Sequence, residues 1–304
     1  MAQDLSLREN ATAPLFEHDA STRYLLQLCL GYFFFYVATG LAVKIVLSPA
    51  SAPDMSQLQF LIYNTLGASG SCFVLVMWRG WFHLPSTRRV HVGPITFPIE
   101  MLFLIPSGIC TAVLVPATTL LYSFPISVMV AMVIMRGAVI VLSRLVDALL
   151  IYQGLLTKRV VWEENVAVAF ALGAVTTKVF FERGSSGEAT FQFYESSAAM
   201  GVLTLYILAY GLRIYIMNYF KNTRPTGAPP SNQAYFGIEQ IVTGLTMVLT
   251  MIVLLMLPGR VAASIPQVGV IQDAVFAPHP SWPIAAIAGL PFGAVAIFSV
   301  FIFL

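Results

Sequence analysis

Long apolar segments separated by short polar connections run through the whole chain. A helix needs about 20 mostly apolar residues to cross roughly 30 Å of hydrocarbon. Segments of that length occur at 24–47, 57–79, 98–121, 125–152, 163–182, 198–220, 234–257 and 283–304. The pattern therefore predicts an all-α, polytopic membrane protein with eight transmembrane helices, preceded by a polar segment at residues 1–22.

The composition supports membrane insertion. Hydrophobic residues make up 58% of the chain and charged residues only 10%, and the mean hydropathy is +0.82. A soluble domain has no use for that much apolar surface, so membrane lipids are the expected surroundings. The net charge of +2 is too small to indicate a nucleic-acid partner. The first apolar segment continues through Lys44 without a cleavage pattern, which predicts a retained helix rather than a signal peptide.

Basic residues concentrate on one side of the predicted helices. With the amino terminus inside, the inner segments contain Arg8, Arg23, Arg79, Arg88, Arg89, Lys158, Arg159, Lys221 and Arg224. The outer loops contain Arg183 and Arg260, and Lys178 lies near an outer helix end. Because Lys and Arg in short loops stay cytoplasmic, we expect residues 1–22, 80–96, 154–162 and 221–233 to be cytoplasmic. In a bacterium the membrane would be the plasma membrane.

No set of residues predicts an enzyme. The histidines lie in loops or in the polar terminus without metal-ligand spacing, and the cysteines fall in three separate spans. These residues are His18, His83, His91, His279, Cys29, Cys72 and Cys110. No glycine-rich phosphate loop precedes a helix. We therefore expect no catalytic residue, no metal and no cofactor.

Arg136 lies in the middle of an apolar run from Pro125 to Leu142. A charge at that depth costs at least about 2.5 kcal/mol even on insertion scales that penalise it least. One interpretation is a structural arginine, neutralised by a neighbouring helix or a buried carbonyl. The other, which we favour, is an arginine that lines a polar cavity and attracts an anionic or zwitterionic metabolite.

Further polar residues in the spans are weaker candidates for such a cavity. Arg213 and Glu239 lie at similar depths in consecutive spans and are expected to pair, either as a structural clamp or as a gate. Lys44, near an outer helix end, is expected to reach the headgroups, and Asn64 needs an interhelical hydrogen-bond partner. Tyr210 belongs to a set of tyrosines that would line a substrate route or pack against neighbouring helices.

Two spans share a Pro-x-Gly pattern. The third contains Pro106 and Gly108, and the eighth contains Pro291 and Gly293. Five predicted spans lie between them, so the two helices must cross the membrane in opposite directions, as inverted repeats of secondary transporters do. Together with Gly137, these residues are the predicted packing or hinge positions.

Two of these segments resemble a known family. The stretches 105–123, which begins Ile-Pro-Ser-Gly, and 133–143, which reads Val-Ile-Met-Arg-Gly-Ala-Val-Ile-Val-Leu-Ser, are similar to the third and fourth helices of the drug/metabolite transporter superfamily. The greatest similarity is to EamA-like and solute carrier 35 F-type permeases. Weaker similarity extends to residues 39–44, which end in Lys44, and to residues 236–240.

The resemblance implies ten helices in two inverted five-helix repeats around a substrate cavity. Residues 23–182 would form the first repeat, 183–197 an outer loop, and 198–304 an incomplete second repeat without its last two helices. The implied function is a secondary transporter that moves a small metabolite by alternating access. The alternative is a non-transporting membrane subunit or pseudotransporter. The missing helices indicate either a truncated sequence, which we favour, or an eight-helix protein that needs a second copy or a partner subunit to close the cavity.

Overall fold

The computed structural model describes residues 15–48, 51, 54–83, 89–92, 95–124, 128–156, 196–223 and 232–303, with a few isolated positions between 162 and 177. The long helices are α1 (Leu15–Val46), α2 (Gln57–Arg79), α3 (Met101–Ser123), α4 (Val128–Tyr152), α5 (Ser197–Thr223) and α6 (Asn232–Met256). Shorter helices follow: α7 (Gly259–Ser264), α8 (Pro266–Phe276), α9 (Trp282–Ile287) and α10 (Leu290–Phe303).

Six stretches of the described residues are long and apolar enough to cross a membrane. They are Arg23–Val46, Gln57–Arg79, Met101–Ser123, Ser197–Thr223, Asn232–Met256 and Trp282–Ile302. They coincide with six of the predicted spans and confirm a largely helical, multi-pass integral membrane protein. Helix α4 coincides with the fourth predicted span but carries three charged residues. Twelve of the 20 residues in the fifth predicted span, 163–182, lie outside the described residues, as do residues 183–195 of the following loop; the eight described positions of the span are helical.

The structure differs from the predicted helix pattern at three places. An antiparallel hairpin of β1 (Arg89–Val92) and β2 (Ile95–Pro98) lies in the connection between α2 and α3, where two β-branched residues in each strand favour this structure. The predicted outer loop 258–281 contains α7 and α8. The eighth predicted span is broken at Ala288 and Gly289 into α9 and α10, with Pro291 in the first turn of α10, where proline is tolerated.

Contacts between helix ends show which ends of the long helices share a side of the bundle. At one end of the bundle, the ring of Trp81, just after α2, lies 6.1 Å from that of Phe236 near the start of α6. At the same end, Phe103 near the start of α3 packs on Phe220 near the end of α5. At the opposite end, Lys44 near the end of α1 contacts Phe124, just after α3. The ends of α2 and α5 and the starts of α3 and α6 therefore lie on one side of the bundle, and the ends of α1 and α3 lie on the other.

Helix α3 lies at the centre of the bundle, where it packs on α5 and α6, while α4 packs on α5 and α10 packs on α1 and α2. The backbones of α2 and of the last span approach closely at two glycines. A Cβ at Gly67 in α2 would overlap the carbonyl oxygen of Ala286, and a Cβ at Gly289 would overlap that of Asn64. Small residues allow this kind of helix contact in membranes.

Candidate functional site

Arg136 projects from the middle of α4 onto two tyrosines of α1. Its Nη1 donates a hydrogen bond to the Tyr32 hydroxyl. Its guanidinium carbon lies 3.6 Å from the ring centroid of Tyr36 and 4.8 Å from that of Tyr32. The two tyrosines are four residues apart, so they share one face of α1, and their rings stack at 5.8 Å. Cation–π attraction and one hydrogen bond thus hold the guanidinium in place.

Three further tyrosines complete the surroundings of Arg136. Tyr206 and Tyr210 share a face of α5, with ring centroids 5.4 Å apart, and both belong to the same buried cluster as Tyr36. Tyr122, near the end of α3, packs with its ring 6.0 Å from that of Tyr36 and belongs to the same cluster. We call Tyr32, Tyr36, Tyr122, Tyr206 and Tyr210 the tyrosine cage; α1, α3 and α5 supply it around one cation from α4.

The cage holds an unpaired charge and unpaired hydroxyls. Among the described residues, no carboxylate forms an ion pair with Arg136; the described ion pair joins Arg213 to Glu239. The hydroxyls of Tyr122 and Tyr206 are buried and have no hydrogen-bond partner in the described part of the chain. Buried polar atoms are nearly always hydrogen-bonded in native proteins. The cage therefore combines one cation with two free donors, a combination suited to an anion.

Arg213 and Glu239 form the predicted pair. Arg213 Nε donates to Glu239 Oε1 at 2.8 Å, and Nη2 donates to Oε2 at 2.9 Å. Glu239 also accepts hydrogen bonds from Ser107 at 2.6 Å and from Thr111 at 3.0 Å, and Tyr235 in turn donates to Ser107. Both charged residues are buried. The two-point geometry is the strongest that an arginine and a carboxylate adopt, and it ties α3, α5 and α6 together.

Lys44 and Asn64 make interhelical contacts. Lys44 Nζ donates to the carbonyl of Phe124 at 2.7 Å, so it caps the end of α3, where carbonyls lack helical partners. Gln57, at the start of α2, donates to the neighbouring Ser123 carbonyl at 3.0 Å. Asn64 accepts from Thr119 at 3.2 Å and lies 3.5 Å from the carbonyl of Ala285. Asn64 thus has the interhelical partners that were expected, whereas the bond of Lys44 to the end of α3 was not predicted.

The predicted hinge positions have different surroundings. Pro106 lies inside α3, whereas Pro291 lies in the first turn of α10. A Cβ at Gly108 would come within 2.6 Å of Val242, and one at Gly293 would come within 2.9 Å of the Ala68 carbonyl, so both mark close helix contacts. Gly137 is buried in α4.

One residue of the site and one helix contact were not identified from the sequence. Tyr122 was not singled out, because only tertiary packing brings the end of α3 to Tyr36. The close contact of α2 with α9 and α10 was also missed, although its signal was present: Gly289 and Gly293 form a Gly-x-x-x-Gly pattern, which favours tight helix pairs in membranes.

The structure has an open apolar groove along α2, away from the predicted site residues. It is lined by Leu66, Gly67, Gly70, Ser71, Val74, Leu75, Trp78 and Leu290. Within the described residues there is also no group of three His, Cys, Asp or Glu side chains placed to hold a metal. The Arg136 cage is therefore the best-defined candidate site in the described structure.

Comparison with known proteins yields no relative. No family model matches the chain, no curated protein matches its sequence, and no solved structure matches its fold.

Proposed function

We propose that this chain is a secondary transporter that binds a small anionic or zwitterionic metabolite at Arg136. The observation that carries the proposal is an arginine at the centre of a helix, in contact with tyrosines and with no carboxylate partner among the described residues. Ionisable groups inside membranes commonly mark substrate or ion pathways. A substrate carboxylate or phosphate would supply the missing negative charge, and a guanidinium can bind it at two points.

The proposal includes the eight-helix topology and the likeness to the drug/metabolite transporters. Support for the topology comes from the two helices that flank the fifth predicted span. Tyr215, towards the end of α5, hydrogen-bonds Gln153, just after α4, so α4 and α5 end on the same side of the bundle. A chain leaving α4 must then return to the opposite side before α5 begins. One further crossing at 163–182 satisfies this requirement and gives an eight-helix chain with a cytoplasmic amino terminus.

The test is ligand binding and uptake by protein carrying Arg136→Lys. Lysine keeps the charge but loses the planar fork, so we expect affinity for the anionic substrate to fall about tenfold or more, equivalent to roughly 1.4 kcal/mol. Purified protein would be screened by thermal shift against carboxylates, phosphates and amino acids, and hits would be followed by uptake into proteoliposomes. Arg144→Lys, on the same helix, is the matched control and should leave binding unchanged.

The second candidate function is a non-transporting membrane subunit. The observation in its favour is that Arg136 already has a hydrogen bond to Tyr32 and two aromatic faces, which would suffice for a structural role. This candidate is favoured if folded protein takes up none of the compounds. So does loss of binding in Arg136→Lys only together with loss of the fold.

A further inference from the structure

The two free hydroxyls of the cage define what kind of anion it would take. Tyr122 and Tyr206 are almost completely buried, at 0% and 1% exposure, and neither hydroxyl has a hydrogen-bond partner among the described residues. They come from different helices, α3 and α5, yet both belong to the buried cluster that contains Tyr36, against whose ring Arg136 lies. Two donors and one cation thus converge on a common region at the centre of the bundle.

We propose that Arg136, Tyr122 and Tyr206 together bind the carboxylate of a singly charged organic acid. This rests on the proposed function and deepens it by naming the donors and the substrate class. A carboxylate has two oxygens with about four acceptor positions, so it accommodates a guanidinium and two phenol donors at once. Hydrogen bonds to a charged acceptor are also stronger than those between neutral groups.

The charge of the site selects a monoanion. Arg136 is the cation of the cage, and the other described basic residue buried in the bundle, Arg213, is held by Glu239. A phosphate monoester or a dicarboxylate would bring a second negative charge for which the described cage has no partner, and uncompensated charge is costly in low dielectric. An amino acid would bring an ammonium, and no described carboxylate faces the cage to receive it.

The walls of the cage select an organic acid with an apolar body. The surfaces next to the guanidinium are tyrosine rings, with Met135 beside the Tyr36 hydroxyl and buried apolar residues of the same cluster around them. Apolar walls with a few placed polar groups are typical of small-molecule sites. Benzoate and butyrate are therefore the preferred probes, and inorganic phosphate, succinate and alanine are the comparison compounds.

The test uses changes that remove one oxygen each, Tyr122→Phe and Tyr206→Phe. Each should weaken benzoate or butyrate binding about tenfold or more, since a hydrogen bond to a charged group is lost. The unliganded variants should melt at the same temperature as the wild type or higher, because a buried hydroxyl without a partner is unfavourable. The control is Tyr63→Phe at the outer end of the bundle. Its hydroxyl donates to the Ala274 carbonyl and accepts from His279 N–H, so this change should lower the melting temperature and leave affinity unchanged.

The outcomes separate the two proposals. Weaker monocarboxylate binding with unchanged melting in both phenylalanine variants supports the carboxylate site. Binding that depends on Arg136 but is indifferent to both hydroxyls, or that is tighter for phosphate, succinate or alanine, overturns this inference while the transporter proposal stands. If no compound binds in a manner that depends on Arg136, both proposals fail.

Discussion

At the scale of single residues, two arginines inside the bundle have opposite surroundings. Arg213 meets a carboxylate at two points, and that carboxylate is further bonded by Ser107 and Thr111. Arg136 meets tyrosine rings and one hydroxyl. Arg213 and Glu239 neutralise each other, so this pair has no free charge for a ligand. Arg136 has no described counter-charge, so it can attract an anion. The first is therefore suited to holding helices and the second to binding.

The pairing of Arg213 with Glu239 predicts an asymmetric loss of stability. Breaking a buried ion pair by removing one partner costs about 3–5 kcal/mol. Glu239→Gln should cost more than Arg213→Met, because arginine cannot shed its charge, whereas a stranded carboxylate can take up a proton. The double variant should lose less stability than the sum of the two single variants. Thermal unfolding in detergent gives the stability of all three variants. Strictly additive losses of stability would contradict a direct interaction.

The sequence predicted this pair but not the cage, for a physical reason. Depth can be read from position in a helix, because each residue rises about 1.5 Å, so residues at matched depth in consecutive spans are natural partners. The cage draws on α1, α3 and α5, and which faces of these helices meet depends on packing that no single span encodes. Tyr206 and Tyr210 were recognisable as one helix face, but not as neighbours of Tyr36.

At the scale of elements, glycines decide how closely α2 approaches the broken last span. Gly67 faces the carbonyl of Ala286 without room for a side chain, whereas Gly70 on the same helix has open space where a Cβ would stand. The six long apolar helices were predictable from hydropathy alone. The break between α9 and α10 was not, because a run of apolar residues gives no sign of where the hydrogen bonding stops.

These two glycines give a matched pair of substitutions. Gly67→Ala should destabilise the protein by about 1–3 kcal/mol, as overpacking typically does. Gly70→Ala should be neutral or stabilising by up to about 1 kcal/mol, because alanine favours the helix. Thermal unfolding of both proteins in the same detergent compares them directly. Equal effects would mean that α2 does not contact α9 as closely as described.

At the scale of the whole molecule, contacts between helix ends place the ends of α2 and α5 on one side and the α8–α9 connection on the other. The distribution of basic residues assigns the first side to the cytoplasm. The directions of the helices relative to one another are visible in the structure, but their orientation in a cell is a prediction. Packing defines which ends share a side, whereas the cell's insertion machinery decides which side faces in.

Single cysteines test this orientation. In a background without Cys29, Cys72 and Cys110, an impermeant thiol reagent applied to intact cells should label Ala277→Cys and should not label Asn222→Cys. All three native cysteines are free, so their replacement breaks no disulfide. Permeabilised cells provide the control, since both sites are exposed and should then react. The opposite labelling would invert the topology.

The ion pair between α5 and α6 also bears on how the chain enters the bilayer during synthesis. Arg213 reaches the translocon before Glu239 does, and a lone arginine at a helix centre costs about 2.5–3.5 kcal/mol to insert. A nascent chain that stops after Thr223 should therefore integrate α5 less completely than one that continues through Met256, as glycosylation mapping would show. Equal integration of the two chains would mean that other contacts already offset the cost of inserting the arginine. The pair makes α5 and α6 a single unit of insertion, joined before the bundle closes around them.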